Sequence, residues 1–87
     1  MIWYVYIIQC EDGKFYTGLT QNVERRFREH QRNGSHFTSY DHATELLYKE
    51  EFDDKHAAAK REKQIKGWTR SKKIALIKDD IDSLKKI

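Results

Sequence analysis

The chain opens on a run of apolar and aromatic residues, MIWYVYII, breaks at a polar turn, and changes to a helical rhythm after about residue 20. Residues 2–9 are rich in β-branched and aromatic types and predict a strand. Glu11-Asp12-Gly13-Lys14 predicts a turn, and "FYTGLT" at 15–20 a second strand. From about Asn22 the apolar spacing becomes helical, with Asn22 or Thr20 as the cap and Asn33-Gly34 as the stop. Residues 35–43 predict a loop, and "ELLYKEEF" at 45–52 a third strand. Asp53 or Asp54 caps a second helix that runs to about Trp68, with Gly67 near its end. Ser71 caps a third helix, whose Ile74, Ile77, Ile81 and Leu84 follow helical spacing, with Asp79-Asp80 as a candidate interruption. The predicted order is β-β-α-β-α-α, an α/β chain of the α+β kind.

The first hairpin admits two registers. A two-residue loop, Asp12-Gly13, would put Tyr6 and Tyr16 on opposite faces, because side chains alternate along a strand. A three-residue loop, Glu11-Asp12-Gly13, with Gly13 left-handed, pairs Cys10 with Lys14 and sets Tyr6 opposite Gly18 and Ile8 opposite Tyr16. The second register is preferred. It gathers Trp3, Val5, Ile7, Phe15 and Leu19 on one apolar face and leaves both tyrosines on the other. Gly18, on the tyrosine face, leaves room for an incoming group.

The helices add charged groups at their inner edges. At about 100° per residue, Arg26 and His30 fall within about 60° of Val23, on the side expected to be buried. Either alone reads as a satisfied core histidine or a snorkelling arginine; the two together, after a hairpin with two tyrosines, favour a site. On the second helix Glu62 lies about 60° from Ile65, on the flank of the buried stripe. It reads either as an ion-pair partner of Lys66 or as a hard-oxygen ligand for Mg²⁺.

Composition narrows the function classes. The chain has 87 residues, 38% hydrophobic and 36% charged, with net charge +3. It is expected to fold as one domain, 1–87. No apolar run approaches the ~20 residues that span a bilayer. The N-terminus lacks the basic start and cleavage site of a secretory signal. A single cysteine excludes an internal disulfide, so a cytoplasmic location is expected. Charge is polarised. Residues 60–73 carry seven bases and one acid, while residues 45–54 carry five acids. The basic run reads as a solvated helix face or as a surface for a polyanion, with Lys66, Arg70, Lys72 and Lys73 as phosphate contacts. Cys10, His36, His42 and His56 have no zinc-like spacing.

Taken in order, these residues resemble the GIY-YIG nucleases. "YVY" at 4–6 stands where the family has GIY, and "YTG" at 16–18 where it has YIG. Arg26 follows Gly18 at the family's spacing, and His30 completes "RRFREH". "REKQIKGWTRSKKIALI" resembles the ending of small standalone members related to the N-terminal nuclease domain of the bacterial excision-repair nuclease. Tyr4 and Thr17 depart from the motif letters, and Leu19 stands where the excision-repair enzymes carry a lysine.

The resemblance implies a small three-stranded antiparallel sheet with helices packed around it. It also implies a divalent-metal-dependent endonuclease that hydrolyses phosphodiester bonds in DNA, in repair or recombination. Glu62 would hold one Mg²⁺ or Mn²⁺ and Arg26 would contact the phosphate. Tyr16, His30 or Tyr6, in that order of preference, would take the water's proton. Gly18 would allow close approach. Nucleic acid is the expected partner and a monomer the expected state. A nucleic-acid-binding module of the same fold with little or no cleavage is the alternative.

Overall fold

The computed structural model describes residues 1–32 and 43–85, with the backbone alone for Arg32 and 80–85. The elements are β1 (Trp3–Cys10), β2 (Phe15–Thr20), α1 (Val23–Arg32), β3 (Ala43–Phe52), α2 (Lys55–Lys66) and α3 (Arg70–Lys85). The predicted order holds. The predicted helix stop at Asn33-Gly34, and the predicted loop up to residue 42, lie outside the described residues.

β1 is the centre of one antiparallel sheet, in the order β2-β1-β3. The hairpin takes the three-residue loop. Tyr6 faces Gly18 and Ile8 faces Tyr16. Cys10 N–H donates to the Lys14 carbonyl at 2.9 Å, and Gly13 sits at φ +88°, a conformation glycine adopts without a Cβ clash. Gly13 N–H closes the turn on the Cys10 carbonyl at 2.9 Å.

The two faces of the sheet bury different sets. Val5 and Ile7 pack with Tyr48, Ala58, Ile65 and Ile77, joined by Trp3, Phe15 and Leu19. α2 and α3 cover this face. Tyr6, Ile8 and Ala43 pack with Tyr16, Phe27 and Leu46 under α1. Strict alternation would put Leu46 and Tyr48 on one face. A bulge in β3, where Ile7 pairs with Tyr48 but Ile8 with Leu46, adds one residue and sends the two side chains to opposite cores. This irregularity is invisible to a period-of-two reading, and β3 also opens at Ala43 rather than at residue 45.

The caps refine the predicted ends. Asn22 caps α1, its Oδ1 accepting from Arg25 N–H at 3.1 Å, while Thr20 Oγ1 accepts from Asn22 N–H at 3.1 Å. Asp54 caps α2 through His56 and Ala57 N–H. α2 stops at Lys66, two residues before the predicted end. Gly67 N–H turns back to Gln64 and Trp68 N–H to Ile65. Thr69, not Ser71, caps α3: its Oγ1 accepts from Lys72 N–H at 3.3 Å, so the helix opens at Arg70. α3 runs unbroken through Asp79-Asp80. Of its predicted stripe, Ile74 is half-buried and Ile77 buried; Ile81 and Leu84 belong to the stretch described by its backbone alone.

Candidate active site

The antiparallel register brings four of the expected site residues together. Tyr6 and Tyr16 lie on the face covered by α1, with ring centroids 6.3 Å apart. α1 turns His30 inward one turn after Arg26. The His30 ring lies 4.9 Å from that of Tyr16 and 6.1 Å from that of Tyr6, and His30 is fully buried. Tyr6 Oη is 3.1 Å from His30 Nε2. Arg26 interacts electrostatically with the same hydroxyl, and its Nη1 pairs with Glu29 at 3.4 Å.

Burial and the charge of Arg26 favour one direction for the bond between Tyr6 and His30. Arginine only donates, so Arg26 takes a lone pair of Tyr6 Oη. Tyr6 is 1% exposed, so its own proton needs a partner inside the protein, and Nε2 of a neutral His30 provides one. Burial, and then the charge of Arg26, push His30 below the usual histidine range, although Glu29 opposes this. Tyr6 is pushed up to about 12, chiefly by burial and by Tyr16, against the favourable contact with Arg26. The pair therefore rests as a neutral phenol bonded to a neutral imidazole. Arg26 Nε is buried and bonds no described group.

Gly18 makes room for the Tyr6 ring of the same hairpin, not for the incoming group expected there. The Tyr6 ring passes over it, and a Cβ built there would lie inside contact distance of Oη and Cζ and 2.8 Å from Cε1. The phenol is thereby laid across the sheet toward β2.

Glu62 approaches from another element. α2 lies against β1 and β2 through Ala58 and Ile65 on the opposite face of the sheet. The Glu62 carboxylate is nonetheless among the charges that raise Tyr6. Its side chain is 21% exposed and pairs with Lys66 Nζ at 3.4 Å, the i,i+4 contact that is one of its two readings in the sequence. Among the described residues no three His, Cys, Asp or Glu side chains cluster as a metal cage. A single carboxylate is compatible with Mg²⁺, which keeps most of its waters and takes few protein ligands.

The four expected phosphate contacts separate. Lys66 and Lys73 line a cavity of about 340 Å³ with Phe15, Tyr16 and Thr17. Arg70 and Lys73 line a second, of about 200 Å³, with Lys14 and Phe15. Lys72 instead lies over the Trp68 ring at 4.6 Å and borders a different hollow. Sequence reasoning missed Lys14 and Thr17. Lys14 stands 59 positions from Lys73, and only the hairpin fold brings the two to one place. A second polar group, also unexpected, ties β3 to α2: Tyr48 donates to Glu50, and Arg61 Nε donates to the same carboxylate at 3.3 Å.

A three-stranded antiparallel sheet with three helices in the order β-β-α-β-α-α is the architecture of the GIY-YIG fold. The chain belongs to that family: the GIY-YIG catalytic domain matches residues 2–75. A UPF0213 protein of Natronomonas pharaonis is 45% identical over 78 residues, covering 88% of this chain and 92% of its own. One from Staphylococcus saprophyticus is 40% identical over 77 residues, covering 87% and 94%. The UPF0213 protein of Bacillus halodurans, solved by solution NMR, matches with a TM-score of 0.59 at 35% identity over 90% of this chain and 84% of that one. The domain belongs to a nuclease superfamily, whose members generally use divalent metals and whose substrate is nucleic acid. Among the described residues no helix is long and apolar enough to cross a membrane.

Proposed function

We propose that this protein is a metal-dependent endonuclease that hydrolyses phosphodiester bonds in DNA. The observation that carries the reading is the Tyr6–Tyr16–His30–Arg26 cluster, in which a guanidinium and two phenols meet on one sheet face.

Arg26 binds a non-bridging phosphate oxygen and stabilises the charge that develops there. Its side chain is 41% exposed, and a guanidinium paired with Glu29 through Nη1 keeps further N–H groups for that purpose. Tyr16, half-buried and among the residues lining the larger cavity, orients the attacking water and, as the phenolate, takes its proton to become the neutral phenol. His30 is buried too deeply to meet water itself, and acts through Tyr6, whose proton it accepts in a hydrogen bond. Tyr6, with its titration raised to about 12, keeps that proton at neutral pH and positions Arg26. Glu62 is the residue that would hold Mg²⁺ or Mn²⁺, and the ion, when bound, supplies Lewis-acid stabilisation of the leaving oxygen.

The test is incubation of purified protein with single-stranded, duplex and branched DNA, with Mg²⁺, with Mn²⁺ and with EDTA. Metal-dependent cleavage of at least one substrate is expected. Binding without cleavage under every condition would leave a nucleic-acid-binding module of the same fold.

A further inference from the structure

We propose that a trough along β2, floored by Phe15 and walled by Lys14, Arg70, Lys73 and Lys66, holds the backbone of the nucleic-acid strand on one flank of the reacting phosphate. The location of that phosphate rests on the nuclease reading above; the trough itself rests on separate observations.

The first is continuity. The two cavities beside the edge strand β2 share Phe15 and Lys73, so they adjoin one another between Lys14 and Thr17. From Lys14 to Thr17 a strand advances about 10 Å, roughly the rise of three nucleotides at 3.4 Å each. Every charged side chain lining it is a cation. Two of these have partners at the rim, Lys14 with Asp12 at 3.2 Å and Lys66 with Glu62 at 3.4 Å.

The second is charge placed against the helix dipole. The N-terminal end of a helix carries partial positive charge and favours acids. The first turn of α3 has no acid and instead carries Arg70, Lys72 and Lys73. Lys73 is further pressed below the usual lysine range by burial and by Lys66. Cations gathered at a positive helix end destabilise the empty protein, and an anion seated among them removes the repulsion.

The third is preorganisation. Arg70 Nη1 donates to the Gly13 carbonyl at 2.7 Å, and the guanidinium lies 4.1 Å from the centre of the Phe15 ring. A guanidinium held by two contacts loses little freedom on binding, and its other N–H groups are left to donate to a phosphate. The Thr17 hydroxyl, buried at the inner end of the trough, bonds no described group.

The experiment is fluorescence anisotropy of a labelled duplex and a labelled single strand in EDTA, between about 50 and 200 mM salt. Lys14→Gln and Lys73→Gln should each weaken binding and lower the slope of log affinity against log salt by about 1. Lys73→Arg should restore the slope, which a mere loss of packing at this half-buried position would not explain. Lys49→Gln, an equal charge change over Tyr4 on the far strand, should leave the slope unchanged. Wild-type slopes in both Lys14→Gln and Lys73→Gln, with the wild type binding, would overturn the trough. Cleavage with Mg²⁺ or Mn²⁺ is scored on the same proteins. The expected slopes without any cleavage keep the trough and remove the nuclease reading. Cleavage with unaltered slopes does the reverse, and a wild type that binds neither strand form removes both.

Discussion

The phenol of Tyr6 lies over the Cα of Gly18, its partner across the hairpin, and no side chain fits between them. Gly18→Ala should therefore push the ring off its bonds to His30 and Arg26. Overpacking of this kind destabilises by about 1–3 kcal/mol, and urea unfolding measures it. Cleavage should fall with it. Wild-type stability and rate in Gly18→Ala would show that the ring is free to move aside.

His30 should make stability depend on pH near its titration. Its folded pKa lies below the usual 6.5, so between the two values the unfolded chain binds more protons. Stability should therefore fall as pH drops through about 6.5, and level off below the folded pKa. Burial and then the charge of Arg26 lower that pKa, Glu29 opposes, and the rings of Tyr6 and Tyr16 face the imidazole. His30→Gln should lose that part of the pH dependence while keeping an acceptor for Tyr6. Urea unfolding of both proteins across this range checks it, and identical pH profiles would show that His30 is not held neutral.

Arg26 is one cation among several near the strand path, but it is the one that interacts electrostatically with Tyr6 Oη. Arg26→Ala should lower the cleavage rate by about 10²–10³-fold, as for loss of one preorganised donor, with a small loss of affinity. Arg26→Lys should rescue little, because an ammonium lacks the planar fork. A parallel collapse of binding and cleavage would make Arg26 an affinity residue.

Glu62→Gln separates the metal ligand from the ion pair. The amide is nearly isosteric, and the lost pairing with Lys66 is worth a few tenths of a kcal/mol. Cleavage should disappear because a neutral amide is a far weaker Mg²⁺ ligand. Binding in EDTA should hold or tighten, since a negative charge leaves a basic surface. A wild-type cleavage rate across a Mg²⁺ titration would take Glu62 out of the site.

The hairpin register, the shared face of Tyr6 and Tyr16 and the inward turn of His30 were all legible in the chain. Each depends on neighbours in sequence: a glycine able to take positive φ, an alternation of two, and a helical turn between residues 26 and 30. Arg26 and His30 differ in depth, however, and their common partner Tyr6 became known only from the packing of α1 on the sheet. The bulge that divides Leu46 from Tyr48 answers to two cores at once, so no local pattern announces it. Thr69 outcompeted Ser71 as a cap because α2 closes at Gly67 and the chain must turn before Arg70. The basic run of residues 60–73 showed its charge but not its sorting. Lys72 and Lys73 are adjacent in sequence, and successive residues of a helix point about 100° apart. One therefore lies on Trp68 while the other meets Lys14 across the trough. That division arises from how α3 docks beside β2, a relation between distant parts of the chain that spacing along it does not encode.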